Sequence, residues 1–506
     1  MKRIVTLLLV GLFSMGCLAT ANAESNIDVK VRGQWDFSYG FVFNSHFNNN
    51  GHNGGAHRND DNTFSIQRVR TQVNFIISEN LQAVLQFEIG DIFAGRGGNS
   101  GRGSGGALGS DGVNIETKHA YLDWMVPDTG LHIRMGLQNI NLPNQLGSNV
   151  LNEDVAAVVA NYRFNQMFAL TAFWARPYDA YRNDGNGRSF DDETDVFGLV
   201  APISLDGATI TPWIMYAKVG AASGFYHNVG QAGGNFGSRA GYDDTDMFPG
   251  GNTSSAPAWW LGVNTNVTMF DPLTFGAEFV YGYIGRNDIF TGGAAANPVT
   301  GAAASWVKDE MSSRGWYLAA TLDYRLDWGT PGIFGWYASG DDFEDWRDDR
   351  RLGRLPSIRP DNNFSSFGSD GGFGISPDEY LTGWNNAGTW GLGIQIQRMS
   401  FIEDLSHTIR FIYYNGTNDK DMVTNSAGTN NAINTRLAGY SKGANYLTTK
   451  DHAYEINFDH RYQIYENLAA VLELGYISID RSEKVWGNDF QDKAAYKAML
   501  SFQFRF

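Results

Sequence analysis

Asp492-Lys-Ala-Ala-Tyr-Lys-Ala-Met-Leu-Ser-Phe-Gln-Phe-Arg-Phe506 ends the chain and carries its strongest structural signal. Every even position from Ala494 through Tyr496, Ala498, Leu500, Phe502 and Phe504 to Phe506 is apolar, whereas Lys493, Lys497, Ser501, Gln503 and Arg505 occupy odd positions. A period of two belongs to a strand with one apolar and one polar face. Chain ends usually fray into water, so an aromatic-rich terminal strand is out of place in a soluble protein. A sheet in hydrocarbon has the opposite need, because every edge must pair before it is stable there. A last strand that closes a barrel meets that need, and Phe506 then sits at the membrane interface.

The other end of the chain agrees. Lys2 and Arg3 precede an apolar stretch, 4–19, and Ala21-Asn22-Ala23 supplies a small-x-small cleavage site, the pattern of a secretory signal peptide. Residues 1–23 are therefore expected to be removed on export through the Sec pathway, leaving 24–506 as a single barrel domain. Thr6, Gly11, Ser14 and Gly16 interrupt the stretch, which is short for a spanning helix. Cys17 raises a lipoprotein signal as an alternative, but Ser14 stands where such signals usually carry leucine. Cleavage after Ala23 removes the single cysteine, and with it any disulfide or thiolate metal site. The formal net charge of −16 becomes two units more negative without Lys2 and Arg3, which argues against nucleic acid as a partner. Beyond the leader no apolar run approaches the ~20 residues of a transmembrane helix. Any membrane insertion must use strands.

The same alternation recurs along the chain. Val29, Val31, Trp35, Phe37, Tyr39, Phe41 and Phe43 share one face against Lys30, Arg32, Gln34 and Asp36, and Val69, Thr71, Val73, Phe75 and Ile77 oppose Arg68, Arg70, Gln72 and Asn74. Tight connections are read at 78–80, 127–130, 165–167, 202–208, 271–272, 326–329, 399–405 and 463–467. Long ones are read at 44–62, 93–113, 140–154, 176–193, 220–257, 285–312, 341–388, 417–450 and 481–491. Nine long loops alternating with eight short turns give eighteen strands; the weak alternation near 140–160 and 330–340 leaves sixteen as the alternative. Even strand numbers, short turns on one side and long loops on the other characterise transmembrane antiparallel β-barrels. A propeller would show blades of fixed period, whereas these loops range from 11 to 48 residues.

Several segments together resemble the homotrimeric outer-membrane porins of Gram-negative bacteria, most closely the group found in anaerobic sulfate reducers. They are the terminal Leu500-Ser-Phe-Gln-Phe-Arg-Phe506, Arg68-Val-Arg70, Lys118-His-Ala-Tyr-Leu-Asp-Trp124, Arg134-Met-Gly-Leu-Gln-Asn139 with Leu142-Pro143, and Gly332-Ile-Phe-Gly-Trp-Tyr-Ala-Ser-Gly340. The likeness spans essentially the whole chain after the leader. It implies passive diffusion of small hydrophilic solutes and ions through three parallel pores in the outer membrane, among lipid and lipopolysaccharide. It also implies that Tyr496, Leu500, Phe502, Phe504 and Phe506 are read by the barrel-assembly machinery. In such porins a long loop after the fifth strand narrows the pore. Here that loop, 140–154, is short, and 220–257 and 341–388 have more reach.

Alternation nominates the pore lining. If apolar positions face lipid, Arg32, Arg68, Arg70, Lys118 and Arg134 project inward, with Glu88 and Asp123 among them. Arg68 and Arg70 lie on one face, roughly 6 to 7 Å apart. They would create a positive field in the lumen unless carboxylates or water compensate, and charged rings set ion preference in pores. Trp336, Tyr414 and Tyr121 could form an inward aromatic track, which would favour a substrate-selective channel over a general one. Asp341, Asp342, Glu344 and Asp345 are a weak calcium candidate, since closely spaced carboxylates suit calcium but no twelve-residue calcium loop is present. Residues 101–106 satisfy G-x-G-x-x-G with no helical pattern after them, and His46, His52 and His57 lie scattered in an Asn/Gly-rich loop. No cofactor is expected. A barrel enzyme or adhesin, the remaining alternative, has no motif in its favour.

Overall fold

The first and last strands meet. In a computed structural model, which describes residues 27–44, 62–97, 105–109, 115–179, 193–220, 255–291, 307–349, 351–369, 371–375, 386–424, 446–486 and 494–506, the first strand pairs with the last. The wall begins with β1 (Asp28–Phe43), β2 (Asn62–Ser78), β3 (Leu81–Phe93), β4 (Ile115–Met125), β5 (Leu131–Asn141) and β6 (Asn152–Arg163). It continues through β7 (Ala169–Asp179), β8 (Glu193–Val200, resumed at Ile203–Leu205), β9 (Ala208–Val219), β10 (Ala256–Phe270), β11 (Leu273–Thr291) and β12 (Val307–Tyr324). It ends with β13 (Thr330–Ala338), β14 (Thr389–Ile402), β15 (Leu405–Gly416), β16 (His452–Tyr465), β17 (Leu468–Asp480) and β18 (Ala495–Arg505). The described residues thus form a closed antiparallel barrel of eighteen strands, the larger of the two expected numbers. Both of the weakly patterned segments, 140–160 and 330–340, supply wall strands.

Among the boundaries that differ from the sequence reading, two stand out. The turn read at 202–208 is only Asp206-Gly207, with Leu205 opposite Ala208 and Gly207 at φ +68°. Asp-Gly is the favoured pair for a two-residue hairpin turn. The apparent earlier end of β8 is a gap at Ala201-Pro202, where proline has no N–H to donate to the ladder. Further on, β11 and β12 run past 285 and begin before 312, so Thr291 still pairs with Val307.

The faces of the barrel are inverted relative to a water-soluble one. On β1, Trp35, Phe37, Tyr39, Phe41 and Phe43 are exposed while Asp36, Ser38 and Val42 between them are buried. Trp259 and Leu261 on β10, Leu392 and Ile394 on β14, and Tyr454, Ile456 and Phe458 on β16 repeat the pattern. An apolar band around the outside of a closed sheet suits hydrocarbon, and the same band in water would be an aggregation surface. The seam between β18 and β1 is tied inside by Arg505 to Asp36 at 2.6 Å and by Ser38 Oγ to Ser501 Oγ at 2.7 Å.

Candidate functional site

Buried polar and apolar side chains on the inward faces point to what fills the lumen. The described parts of the connection between β13 and β14, residues 341–349, 351–369, 371–375 and 386–388, turn inward, and so does the connection 142–151 between β5 and β6. At the mouth, Asp341 accepts hydrogen bonds from Gly353 N (3.0 Å), Arg354 N (3.3 Å) and Arg354 Nε (2.8 Å), with both side chains buried. Tyr446 also reaches Asp341, and burial followed by the nearby Asp341 carboxylate pushes its hydroxyl well above the ordinary range. A sharp chain reversal is thereby held by one ion pair.

From there the longer loop descends along the wall. Leu352, Leu355 and Ile358 are buried, and Trp260 Nε1 donates to Pro356 O at 2.7 Å. Gly315 admits this approach, because a Cβ there would fall 2.3 Å from the Arg354 carbonyl carbon. Asp361 and Asn362 then pair with Ser148 and Gly147 in a two-stranded inner sheet, and Arg359 Nε meets Glu153 at 2.9 Å. The two inward loops thus brace each other. The shorter one is also anchored to the wall: Gln145 N donates to Glu278 at 2.8 Å, and Gln145 Nε2 to Asn264 at 3.2 Å.

The far end of the long loop lies on a row of carboxylates from β16 and β17. Phe364 is wedged beside Trp336 (ring centroids 4.6 Å apart), Phe334 (5.8 Å) and Tyr414 (6.3 Å). Gly368 N donates to Glu455 at 2.9 Å, Ser366 Oγ to Asp459 at 2.9 Å, and Gly374 N to Glu473 at 2.9 Å, with Phe373 N on the same Glu473 oxygen. Cations complete the row. Arg410 meets Asp459 at 2.9 Å, and Lys497 bridges Glu473 (2.8 Å) and Ser366 O (2.5 Å). The Lys497 and Glu473 side chains are 2% and 1% exposed. Ile375 N finally donates to Ser38 Oγ at the closing seam, at 3.1 Å. Charge-assisted bonds of this kind, made in a desolvated setting, are the strong ones.

Opposite this covered half, the inward faces of β2 to β5 remain partly open. Cross-strand register puts Asp36 opposite Arg68 and Arg70 opposite Glu88, so the two arginines share the inward face of β2. Arg70 Nε meets Glu88 at 2.6 Å, and Arg68 Nε meets Asp91 at 2.6 Å and Glu88 at 3.5 Å. The positive field expected of the pair is therefore compensated by adjacent carboxylates. Asp123 pairs with His132, and the Arg134 guanidinium lies 5.8 Å from the centre of the Tyr121 ring. Arg32 sits opposite Gln72 near the short-turn rim and is exposed.

Lys118 does not join this group. It lies at a bulge between β3 and β4, where the register steps from Gln86 opposite His119 to Phe87 opposite Thr117. Its Nζ reaches Asp154 at 2.5 Å, which His119 also contacts at 2.9 Å. Asp154 shares a strand face with the exposed Ala156 and Val158, not with Val155 and Ala157, which are buried. Strict alternation could never place both Lys118 and Asp123 inward, since they are five residues apart.

Neutralising the arginines has a defined consequence. Replacing Arg68 and Arg70 with glutamine removes two positive charges from beside Glu88 and Asp91 on an inward face, so the reversal potential under a salt gradient should shift toward cation preference. An unchanged reversal potential would remove these arginines from any role in ion preference.

Other expectations resolve as follows. Trp336 and Tyr414 do face inward, 5.3 Å apart, but both are buried beneath Phe364 and present no open aromatic track, and Tyr121 stands apart beside Arg134. The four acidic residues of the calcium candidate do not converge. Asp341 holds Arg354, Asp342 caps the short helix Phe343–Asp349 through Glu344 N and Asp345 N, and Asp345 pairs with Arg351. Tyr496, Leu500, Phe502 and Phe506 lie outward on the terminal strand, with Phe504 stacked on Phe506 at 5.8 Å. The leader, the His46, His52 and His57 loop, Lys493 and most of 101–106 lie outside the described residues. The carboxylates Glu455, Asp459 and Glu473 were not singled out from the sequence. Their signal is alternation: β16 places Glu455, Asn457 and Asp459 on one face and Tyr454, Ile456 and Phe458 on the other, and β17 places Glu473 between Leu472 and Leu474.

No family model matches the chain, and no curated protein matches it. Among solved structures the chain is similar to OpdQ of Pseudomonas aeruginosa (12% identity, 95% of this chain and 98% of that one, TM-score 0.47). It is also similar to OccAB2 of Acinetobacter baumannii (11%, 96% and 100%, 0.49) and to a BenF-like porin of Pseudomonas fluorescens Pf-5 (10%, 95% and 99%, 0.47).

Proposed function

We propose that this chain is an outer-membrane channel that passes small hydrophilic solutes by passive diffusion and selects among them, with no catalytic step. The observation that carries this reading is the long inward loop held on buried carboxylates and Lys497, which leaves the arginine and carboxylate faces of β2 to β5 as the wetter side of the lumen. A closed barrel with an apolar outer band supports the membrane setting. A lumen narrowed by braced loops favours selection over a wide general pore, and fixed opposite charges along the open face favour polar over apolar solutes. Under this reading the short turns, and with them Phe506, face the periplasm.

Liposome swelling with a graded series of sugars and amino acids tests the proposal. Uptake restricted to a few small solutes is expected. A smooth decline with size, extending to oligosaccharides, would favour a general-diffusion pore, and no swelling at all would overturn the channel reading. We further propose a homotrimer exported by cleavage after Ala23, lying among lipopolysaccharide and inserted by the barrel-assembly machinery. An unheated detergent sample migrating at the monomer position would contradict the trimer.

A further inference from the structure

One polar pair has no place in the lumen. His407 on β15 and His460 on β16 are direct cross-strand partners, and their Nδ1 atoms are 2.6 Å apart. Both side chains lie on the outward face. His407 shares a strand face with the exposed Ile409 and Phe411, and His460 with the exposed Phe458 and Tyr462. The pair sits toward the short turns, since β15 begins at Leu405 and β16 ends at Tyr465. Around that rim stand further exposed aromatics, including Trp328 stacked on Phe401 at 5.8 Å, and Tyr465. Such aromatic girdles mark the boundary between hydrocarbon and water.

We propose that His407 and His460 form a binding site for one late first-row divalent cation, such as Cu2+ or Zn2+, on the outer face of the barrel. Two neutral imidazoles in direct Nδ1 to Nδ1 contact share a single proton, donated by one ring to the lone pair of the other. When the donor ring carries that proton on its own Nε2 instead, both Nδ1 atoms present in-plane lone pairs, and one metal seated off the line between them can accept both with no net loss of a proton. With metal–nitrogen bonds of about 2.0 to 2.1 Å meeting at an angle of about 90 to 110°, the two nitrogens need to separate by roughly 0.3 to 0.8 Å. Imidazole suits copper, nickel and zinc, with copper the tightest of the divalent series. Water and lipid phosphate oxygens at the girdle can fill the remaining positions. Glu403 and Asp404, in the turn that leads into β15, add negative charge at the same rim. The site is independent of the transport reading, because neither ring faces the lumen.

The test uses the full-length barrel in detergent, with His46, His52, His57 and His227 changed to glutamine to remove the loop histidines. Copper titration followed by electron paramagnetic resonance should show one equivalent per chain, with splitting from two imidazole nitrogens. His407→Gln or His460→Gln should each weaken binding by about tenfold or more, equivalent to ~1.4 kcal/mol. The double variant should lose the equivalent altogether while keeping heat-modifiable migration. A double variant that retains the same stoichiometry and spectrum would overturn the proposal. So would a single-nitrogen spectrum in the parent protein, a readout that needs no variant to fold.

Discussion

Replacing Lys497 with methionine should raise single-channel conductance and admit a larger solute. Lys497 holds Glu473 at 2.8 Å and Ser366 O at 2.5 Å, in a position almost without solvent access. Removing one member of a buried ion pair costs about 3–5 kcal/mol, because the remaining charge is left uncompensated. Glu473 would still accept N–H bonds from Phe373 and Gly374, but its carboxylate would face the interior with no cation. Relief requires water, and water reaches Glu473 when the segment 364–375 lifts from the wall. The wall itself has no comparable reason to yield, since β16, β17 and β18 stay paired through their backbone ladders. The strain is therefore expected to release the loop rather than unfold the barrel.

Two measurements check this. Conductance in planar bilayers should rise relative to the unaltered protein, and the released loop should become open to proteolytic nicking, as ordered buried backbone is not. Adding Glu473→Gln should return both toward the starting values. Glutamine keeps an acceptor for the loop N–H groups without a charge, and loss of a whole buried pair is far milder than loss of half of it. A Lys497→Met protein with unchanged conductance and an uncut loop would mean that the carboxylate row does not hold the loop in place.

The eighteen strands were readable because each wall strand must show one face to lipid and one to the lumen, and that demand is written at every second residue. Val29 to Phe43 and Tyr496 to Phe506 show it plainly. Pro202 blurred one boundary because a missing N–H breaks the ladder without ending the strand. The pore lining was only half readable. Parity placed Arg68, Arg70 and Glu88 inward, but their mutual neutralisation depends on the register of β2 against β3, which bulges between Gln67 and Val69 adjust. Lys118 and Asp123, five residues apart, have opposite parity, and the bulge beside Lys118 interrupts the alternation there. The inner loop left no periodic trace at all. Phe364, Ser366 and Gly368 have no regular spacing, and their partners Trp336, Asp459 and Glu455 lie on wall strands distant in sequence. Loop-to-wall complementarity is a property of the closed barrel.

Barrel closure itself should fail first at Gly33 and Phe506. Gly33 N donates to Phe506 O at 2.7 Å, and Phe506 N returns a bond to Gly33 O at 3.0 Å. A Cβ at position 33 would fall 2.3 Å from the Phe506 ring and 2.7 Å from the Arg70 carbonyl oxygen, so the glycine is squeezed between the terminus and β2. The ring can swing aside, but the β2 backbone cannot, which makes Gly33→Val the more damaging change. Deleting Phe506 removes both backbone bonds at an edge where unmet peptide groups are costly in lipid. Both variants are expected to yield a much smaller folded fraction on heat-modifiability gels. The barrels that do assemble should conduct as the unaltered protein does, because Gly33 and Phe506 lie on the outward face. Normal barrel levels in the Phe506 deletion would show that closure is secured further up the seam, by Arg505 with Asp36 and Ser38 with Ser501.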